Sequence, residues 1–280
     1  MYSRKSLLDH WESLLLQSGV DSPRLSAQVL LSHTLGIPRM DMLLDMHAAV
    51  SDEAYRQMQM LCLRRSRGEP VAYLTGFKEF YGLDFAVDAQ VLVPRPETEL
   101  IIDDMRQRFG PNECLKALDL GTGSGALAVA CAAMFPGFQV TAVDISAGAL
   151  RIARRNAQSH AVGARVSFVQ GDLAESLRLS DFDVVMANLP YVPLSSMAAI
   201  SSEVVDHEPH LALFSGPDGL NCYRRLAQCL AGKMKEGAMM WCEIDSSQGA
   251  AMKDLYCAIS KHVTVLKDYA GHDRMVVVVF

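Results

Sequence analysis

Beyond residue 110, short apolar runs alternate along the chain with stretches of helical character. Strands that alternate with helices in this way are typical of an α/β domain built on a largely parallel sheet. We therefore predict such a domain for this part of the chain. The candidate strands are 117–120, 139–143, 166–169, 184–187, 238–243 and 275–280.

The first part of the chain has a different pattern. Residues 1–75 lack strand-like alternation and predict helices, one of them starting after Ser22 with a side-chain cap and another after Ser51. Aromatic and β-branched residues within 76–95, including 91–93, predict a hairpin linker. We expect a helical domain at 1–75, this linker at 76–95 and the α/β domain at 96–280.

Composition narrows the classes of partner. Half of the 280 residues are hydrophobic, which is enough for a sizeable core, and the net charge is −6. A protein that rides on nucleic-acid phosphates usually carries a basic face. The acidic balance therefore favours a protein or a small molecule as the substrate.

Cysteine content and the N-terminal stretch bear on the compartment. The seven cysteines form no C-x-x-C pair, and most lie among apolar residues, as expected of buried thiols in a reducing environment. The first residues have the spacing of an amphipathic helix and not the pattern of a signal peptide. No uncharged apolar run approaches the ~18 residues that a membrane span needs. We expect a cytoplasmic protein.

A glycine-rich loop follows the first candidate strand, and a helical run begins directly after it. Glycine permits positive φ and lets a ligand approach the bare backbone. The start of the following helix favours a negatively charged ligand group. The loop therefore predicts a cofactor site. Its candidate residues are Gly121, Thr122, Gly123, Ser124 and Gly125.

Two acidic residues follow the next strands, where an open parallel sheet has its ligand crevice. Asp144 can accept hydrogen bonds from ribose hydroxyls. Asp172 can accept from an adenine amino group, while Leu173 covers the ring. Because the loop also fits the G-x-G-x-x-G/A fingerprint, these residues alone leave open a nicotinamide or flavin dinucleotide or S-adenosylmethionine.

The tetrapeptide Asn188-Leu189-Pro190-Tyr191 ends a further apolar run and suits the gripping of a planar NH2 group. Asn188 Oδ1 can accept one N–H and the Leu189 carbonyl the other. Pro190 fixes the chain direction, and Tyr191 can pack its ring on the flat group. Hydride transfer has no use for such a grip, so the tetrapeptide favours S-adenosylmethionine.

The same residues suggest a mechanism. An amide nitrogen is a poor nucleophile because its lone pair is delocalised into the carbonyl. Two acceptors that favour a pyramidal nitrogen would help, and positioning supplies much of the acceleration. No strong general base is needed, since the proton can leave after attack. We assign catalysis to Asn188, Pro190 and Tyr191, and expect Asn188 to touch the cofactor as well.

With these residues in place, the chain closely resembles the peptide chain release factor glutamine methyltransferases over nearly its whole length. These enzymes methylate the glutamine amide in the Gly-Gly-Gln motif of bacterial release factors. The resemblance rests on the glycine loop, the tetrapeptide, residues 68–76, residues 93–99, and Glu208-Pro209 followed by Ala212-Leu213.

The resemblance implies a class I S-adenosylmethionine-dependent methyltransferase with a Rossmann-like, mostly parallel seven-stranded sheet and a small helical domain that helps dock the release factor. It implies the cofactor at the glycine loop, Asp144 and Leu173, S-adenosylhomocysteine as the product, and the substrate glutamine at residues 188–191. Arg95 and Glu97 would shape the pocket mouth. We expect a monomer that contacts neither nucleic acid directly nor a membrane.

One residue departs from the family pattern. Leu189 stands where the family tetrapeptide usually has proline, which costs rigidity but keeps the carbonyl. Asn-Leu-Pro-Tyr also resembles the motif of ribosomal-RNA adenine dimethyltransferases, which lack the segment at 94–97 and the N-terminal helical unit. A nucleic-acid amino-methyltransferase and a non-catalytic S-adenosylmethionine-binding module therefore remain as alternatives.

We expect no metal in this protein. His207 and His210 flank Pro209, which interrupts any helix that would align them, and no third ligand is evident.

Overall fold

Helices dominate the first part of the chain, and strands alternate with helices in the rest. The computed structural model describes residues 2–175 and 177–280. The helices are α1 (Arg4–Gln17), α2 (Pro23–Leu35), α3 (Arg39–Leu44), α4 (Asp52–Arg65), α5 (Val71–Thr75), α6 (Glu99–Arg108), α7 (Ala126–Met134), α8 (Ala147–Ser159), α9 (Ser202–His207), α10 (Asn221–Leu230) and α11 (Gly249–Cys257). The strands are β1 (Tyr2–Ser3), β2 (Ala49–Val50), β3 (Phe77–Phe80), β4 (Leu83–Ala86), β5 (Lys116–Leu120), β6 (Gln139–Asp144), β7 (Val166–Gln170), β8 (Val184–Ala187), β9 (Met239–Glu243), β10 (His262–Lys267) and β11 (Asp273–Val279).

The described residues divide into two compact units. The smaller unit comprises the chain up to Phe77 together with Ser201–His207. The larger unit comprises Lys78–Ile200 and Glu208–Phe280. Helix α9 therefore belongs to the smaller unit, although its sequence lies far from the N-terminal helices.

Apolar side chains of α1, α2 and α4 form the core of the smaller unit. An ion pair holds α9 in this unit, because Arg65 Nη2 lies 2.7 Å from Glu203 Oε2 and the Arg65 side chain is only 4% exposed. Arg65 also donates to the Glu69 carbonyl at 3.0 Å. The ring of His207 adds a hydrogen bond with the Arg67 carbonyl.

The two predicted helix starts of the smaller unit differ in their caps. At the start of α4 the Ser51 hydroxyl accepts from the Ala54 N–H, as a capping serine should. The expected cap at Ser22 is wrong, although α2 does begin at Pro23. Ser22 has left-handed backbone angles (φ 52°, ψ 53°) instead of the extended angles of a capping residue, and its side chain bonds no first-turn N–H.

The larger unit contains a seven-stranded sheet with the order β10-β11-β9-β8-β5-β6-β7. Strands β5 to β9 run parallel, and β11 is antiparallel to both of its neighbours. The predicted mostly parallel seven-stranded sheet is thus confirmed. Strand β10 is one that the apolar pattern did not predict.

Side chains of β5 alternate between the two faces of the sheet. Ala117 joins a core formed with α6 and α7 on one face. Leu118 and Leu120 join a second core formed with α10 and α11 on the other. Strand order reverses at β5, so the carboxyl ends of β5, β6 and β8 meet at the position where such sheets bind ligands.

Strands β3 and β4 form the predicted hairpin, but residues 91–93, which were part of the pattern that predicted it, form no strand. The Val93 N–H instead donates to Glu208 Oε2 at 3.0 Å. A buried carboxylate therefore satisfies this backbone group in place of a neighbouring strand.

Candidate active site

A cavity of about 260 Å³ opens at the carboxyl ends of β5, β6 and β8. It brings together most of the residues that the sequence predicted to bind the cofactor and the substrate. The nominated residues that line it are Arg95, Gly121, Thr122, Gly123, Ser124, Asp144, Asp172, Leu173, Asn188, Leu189 and Pro190. Gly125, Glu97 and Tyr191 are described but lie outside its lining.

The glycine loop fits tightly against its surroundings. Gly121 has φ 70°, and a Cβ there would come within 3.0 Å of Leu189 Cδ2. Gly125 has φ 82°, and a Cβ there would meet Ala153 of α8 at 3.0 Å. Gly121 thus keeps open the cavity wall next to the tetrapeptide, whereas Gly125 allows α7 and α8 to pack closely.

Asp119 is a cavity-lining acid that the sequence interpretation did not single out. Its Oδ2 accepts from the Thr122 hydroxyl at 2.6 Å and from the Ala128 N–H at 3.1 Å. Its Oδ1 is buried without a hydrogen-bond partner among the described residues. Burial raises the pKa of Asp119 to about 7. An acidic side chain in a cavity wall suits a ligand that donates hydrogen bonds or carries a positive charge.

Asp144 ends β6 and is oriented by the backbone. One of its oxygens accepts from the Gly123 N–H at 2.9 Å and the other from the Ser146 N–H at 2.8 Å. Burial is the main cause of the raised pKa of this carboxyl group, and the backbone hydrogen bonds oppose it. A carboxylate oxygen can accept a second bond, so both remain able to receive hydroxyl groups.

Asp172 and Leu173 line the cavity on the side of β7. Asp172 Oδ2 pairs with Arg225 at 2.7 Å, and Arg225 itself lines the cavity. The sequence interpretation missed Arg225. Its position on α10, one turn beyond the start of the helix, carries no local signal for a partner some 50 residues earlier.

The tetrapeptide is held by side chains from several elements. Asn188 Nδ2 donates to Thr98 Oγ1 at 2.9 Å. The Leu189 N–H meets the Tyr223 hydroxyl at 3.4 Å. Tyr191 lies outside the cavity lining, and its hydroxyl donates to Glu243 Oε1 at 3.0 Å. Burial is the main cause of the raised pKa of Tyr191, so its hydroxyl stays protonated.

Glu243 is a second acid that the sequence interpretation did not nominate. It ends β9, is 2% exposed, and accepts the Thr98 hydroxyl at 2.5 Å in addition to Tyr191. Burial raises the pKa of its carboxyl group, while the hydrogen bonds from Thr98 and Tyr191 and the charge of Arg274 lower it. Its position at the end of a predicted strand was the available signal.

Arg95 and Glu97 differ in their placement. Arg95 lines the cavity and forms an ion pair at 2.5 Å with Glu208, whose side chain is 1% exposed. Glu97 is exposed on the 3-10 helix Pro96–Thr98. The segment at 93–99 thus contributes Pro94, Arg95 and Thr98 to the cavity lining.

Within residues 2–175 and 177–280, three or more His, Cys, Asp or Glu side chains nowhere come together in a way that could hold a metal ion. In those same ranges every helix is too short or too polar to cross a bilayer.

Comparison with protein families gives two matches. Residues 6–76 match the PrmC N-terminal domain, and residues 117–207 match a methyltransferase domain. Among solved structures, a methyltransferase from Pyrococcus furiosus superposes with a TM-score of 0.53 at 18% identity, covering 79% of this chain and 96% of that one. This likeness supports the fold.

Curated relatives cover nearly the whole chain. A release factor glutamine methyltransferase from Moorella thermoacetica is 40% identical over 93% of this chain and 92% of its own length. One from Chlorobaculum tepidum is 36% identical over 98% of this chain and 96% of its own length. The chain is an S-adenosylmethionine-dependent methyltransferase, and with relatives of this identity and coverage it belongs to the release factor glutamine methyltransferase family.

Proposed function

We propose that this protein methylates the side-chain amide nitrogen (N5) of the glutamine in the Gly-Gly-Gln motif of bacterial peptide chain release factors. One observation carries the proposal. Asn188 and Leu189 both line the cavity, and among the described residues no hydrogen-bond donor reaches Asn188 Oδ1 or the Leu189 carbonyl oxygen. Two acceptors of this kind match the two N–H groups of a carboxamide.

The residues of the cavity fit the cofactor. The glycine loop offers bare backbone, Asp144 offers acceptors for ribose hydroxyls, and Leu173 offers an apolar surface. Asp119 also lines the cavity, and an acidic side chain suits the cationic methionine portion. S-adenosylmethionine, when bound, supplies a methyl group on a positively charged sulfur and leaves as S-adenosylhomocysteine.

The chain's own residues position the nucleophile. Asn188 and Leu189 take the two N–H groups of the target and favour a pyramidal nitrogen, whose lone pair forms the new C–N bond as the C–S bond breaks. The nitrogen then loses a proton to solvent. Pro190 fixes the direction of the Leu189 carbonyl, and Tyr191, anchored on Glu243, holds the end of the tetrapeptide.

Further parts of the proposal concern the substrate protein. We propose that the helical domain at 1–75 docks the release factor, that 76–95 links it to the catalytic domain at 96–280, and that Arg95 and Glu97 contact the incoming loop. The enzyme would act as a cytoplasmic monomer without binding nucleic acid directly. The net charge of −6 supports a protein partner.

The test is transfer of a labelled methyl group from S-adenosylmethionine to purified release factor. We expect label on the wild-type factor and none on a factor whose Gly-Gly-Gln glutamine is changed to alanine. The Asn188→Ala enzyme should lose about 100-fold or more in rate, since an acceptor used in the transition state is gone. Label on ribosomal RNA or DNA instead would contradict the proposal.

A further inference from the structure

The side-chain amide of Asn188 has two ends that are nearly equal in shape and opposite in chemistry. The oxygen only accepts hydrogen bonds, and the nitrogen only donates them. One orientation therefore presents an acceptor to the target N–H groups, and the other presents a donor. Asn188 Nδ2 lies 2.9 Å from Thr98 Oγ1, which leaves the oxygen for the cavity.

We propose that Thr98 and Glu243 are positioning residues that hold the Asn188 amide with its oxygen toward the target nitrogen. This inference rests on the proposed function, since the direction of the amide matters for the reaction only if Asn188 accepts a hydrogen bond from the substrate.

The hydrogen-bond donors and acceptors of Glu243, Thr98 and Asn188 determine which way the Asn188 amide faces. Both oxygens of Glu243 accept a hydroxyl, Oε1 from Tyr191 and Oε2 from Thr98 at 2.5 Å, which is the arrangement of an ionised carboxylate with no proton to donate. The single hydroxyl proton of Thr98 is therefore used in the hydrogen bond to Glu243. Toward Asn188 the hydroxyl can then only accept, so the NH2 end of the amide must face it.

Burial enforces this pattern of hydrogen bonds. Thr98 is 4% exposed and Glu243 is 2% exposed, so water does not compete for their hydrogen bonds. The other oxygen of Glu243 is taken by the Tyr191 hydroxyl at 3.0 Å. Turning the Asn188 amide round would place its oxygen against a hydroxyl oxygen that has no proton left to give.

The backbone of the tetrapeptide is held by other groups. The Leu189 N–H meets the Tyr223 hydroxyl, and the Tyr191 carbonyl accepts from Gln248 Nε2 at 2.8 Å. Loss of the Thr98 hydroxyl therefore leaves the Leu189 carbonyl in place. Its effect should be confined to the side-chain amide of Asn188.

The first experiment compares Thr98→Val with Thr98→Ser. Valine keeps the shape and removes the hydroxyl, so we expect kcat/KM for the release factor to fall about 10- to 100-fold. Serine keeps the hydroxyl, so kcat/KM of Thr98→Ser should stay within about fivefold of the wild-type value. Affinity for S-adenosylhomocysteine, measured by calorimetry, should stay within about twofold in both. Thr264→Val on β10 is the matched control and should leave kcat/KM unchanged.

Glu243→Gln provides a second variant if Thr98→Val fails to fold. An amide at 243 can either accept from Thr98 or donate to it. In the second case the Thr98 proton is free to bond Asn188 Oδ1, and both orientations of that amide become populated. We expect kcat/KM to fall between about fivefold and 100-fold, and an unchanged kcat/KM would overturn the inference.

A double variant tests whether Thr98 acts through Asn188. In an Asn188→Ala background, adding Thr98→Val should change the single-turnover rate by less than about twofold. An additional loss as large as in the wild-type background would show that Thr98 acts in another way and would overturn the inference. Equal losses for Thr98→Val and Thr98→Ser would overturn it as well.

A readout without turnover separates this inference from the proposed function. The ¹H–¹⁵N signals of the Asn188 side chain, assigned by their loss in Asn188→Ala, should exchange slowly in wild type and at least tenfold faster in Thr98→Val. Slow exchange in both proteins would contradict the positioning role. If wild type shows slow exchange but transfers no methyl group to the release factor, the proposed function fails while the hydrogen-bond arrangement stands.

Discussion

At the scale of single residues, Leu189 shows how this chain manages without the usual proline. Its N–H meets the Tyr223 hydroxyl at 3.4 Å, a contact that proline cannot make. Its side chain is 3% exposed and packs against Gly121. Hydrogen bonding and packing thus restrain the backbone here in place of a ring.

The close approach of Leu189 to Gly121 yields a prediction. In Gly121→Ala the new methyl group would meet Leu189 Cδ2 at 3.0 Å, on a backbone with φ 70° that alanine adopts only under strain. We expect affinity for S-adenosylhomocysteine, measured by calorimetry, to fall at least tenfold. The unfolding free energy should fall by about 1–2 kcal/mol.

Gly163→Ala is the matched control for this change. A new methyl group at Gly163 would lie 3.8 Å from the nearest atom, and the φ of Gly163 is not positive. Affinity for S-adenosylhomocysteine should remain at the wild-type value. An unaltered affinity in Gly121→Ala would mean that the loop backbone does not approach the ligand closely.

Asp119 makes stability depend on pH. Burial raises its pKa from 3.8 to about 7, so between these values the folded protein holds a proton that the unfolded chain has released. The unfolding free energy therefore falls as pH rises through this window, by up to about 1.4 kcal/mol per pH unit. We expect the unfolding free energy, measured in urea, to fall between pH 5 and pH 8. This fall should be smaller by about 2–3 kcal/mol in Asp119→Asn than in the wild type. Equal decreases in the two proteins would contradict this assignment.

At the scale of elements, strand ends determine which side chains reach the site. β8 delivers Asn188 and β9 delivers Glu243, while the short helix Pro96–Thr98 delivers Thr98. The apolar runs predicted most of these strands because a buried parallel strand is apolar along its whole length. The predicted cofactor and substrate residues largely meet in one cavity for the same reason.

The remaining parts of the site lie beyond what local patterns encode. Thr98 and Glu243 are 145 positions apart, and only the strand order brings them within hydrogen-bonding distance. The same holds for Arg225 and Asp172. Strand β10 lies at the edge of the sheet and is only partly buried, so its residues give a weaker apolar signal than those of the central strands.

The two helix starts of the smaller unit make a paired prediction. Ser51→Ala removes a hydrogen bond to a first-turn N–H of α4 and should lower the unfolding free energy by about 1 kcal/mol. Ser22→Ala removes no such bond at α2 and should change it by less than about 0.5 kcal/mol. Chemical denaturation of both variants checks the difference, and equal effects would contradict it.

At the scale of the whole molecule, the smaller unit is assembled from two distant stretches of chain. The Arg65–Glu203 pair joins them, and Arg65 is almost fully buried. Glu203→Gln would leave this guanidinium without a counter-charge. Because Glu203 is one-third exposed, we expect a moderate loss of about 1–2 kcal/mol in unfolding free energy.

The control for this prediction is an ion pair on the surface. Arg178 and Asp181 lie 3.6 Å apart, and their side chains are 82% and 46% exposed. Asp181→Asn should change the unfolding free energy by less than about 0.5 kcal/mol. If Glu203→Gln costs no more than this, the Arg65–Glu203 pair does not hold α9 in the smaller unit.

The divided smaller unit also affects the order of events during synthesis. An N-terminal domain ordinarily folds as soon as it leaves the ribosome. Here the last helix of the smaller unit, α9, is translated only after β8. The N-terminal helices therefore emerge without α9, and the Arg65–Glu203 pair can form only after β5 to β8 have been synthesised. The part of the protein that is made first is among the later parts to be completed.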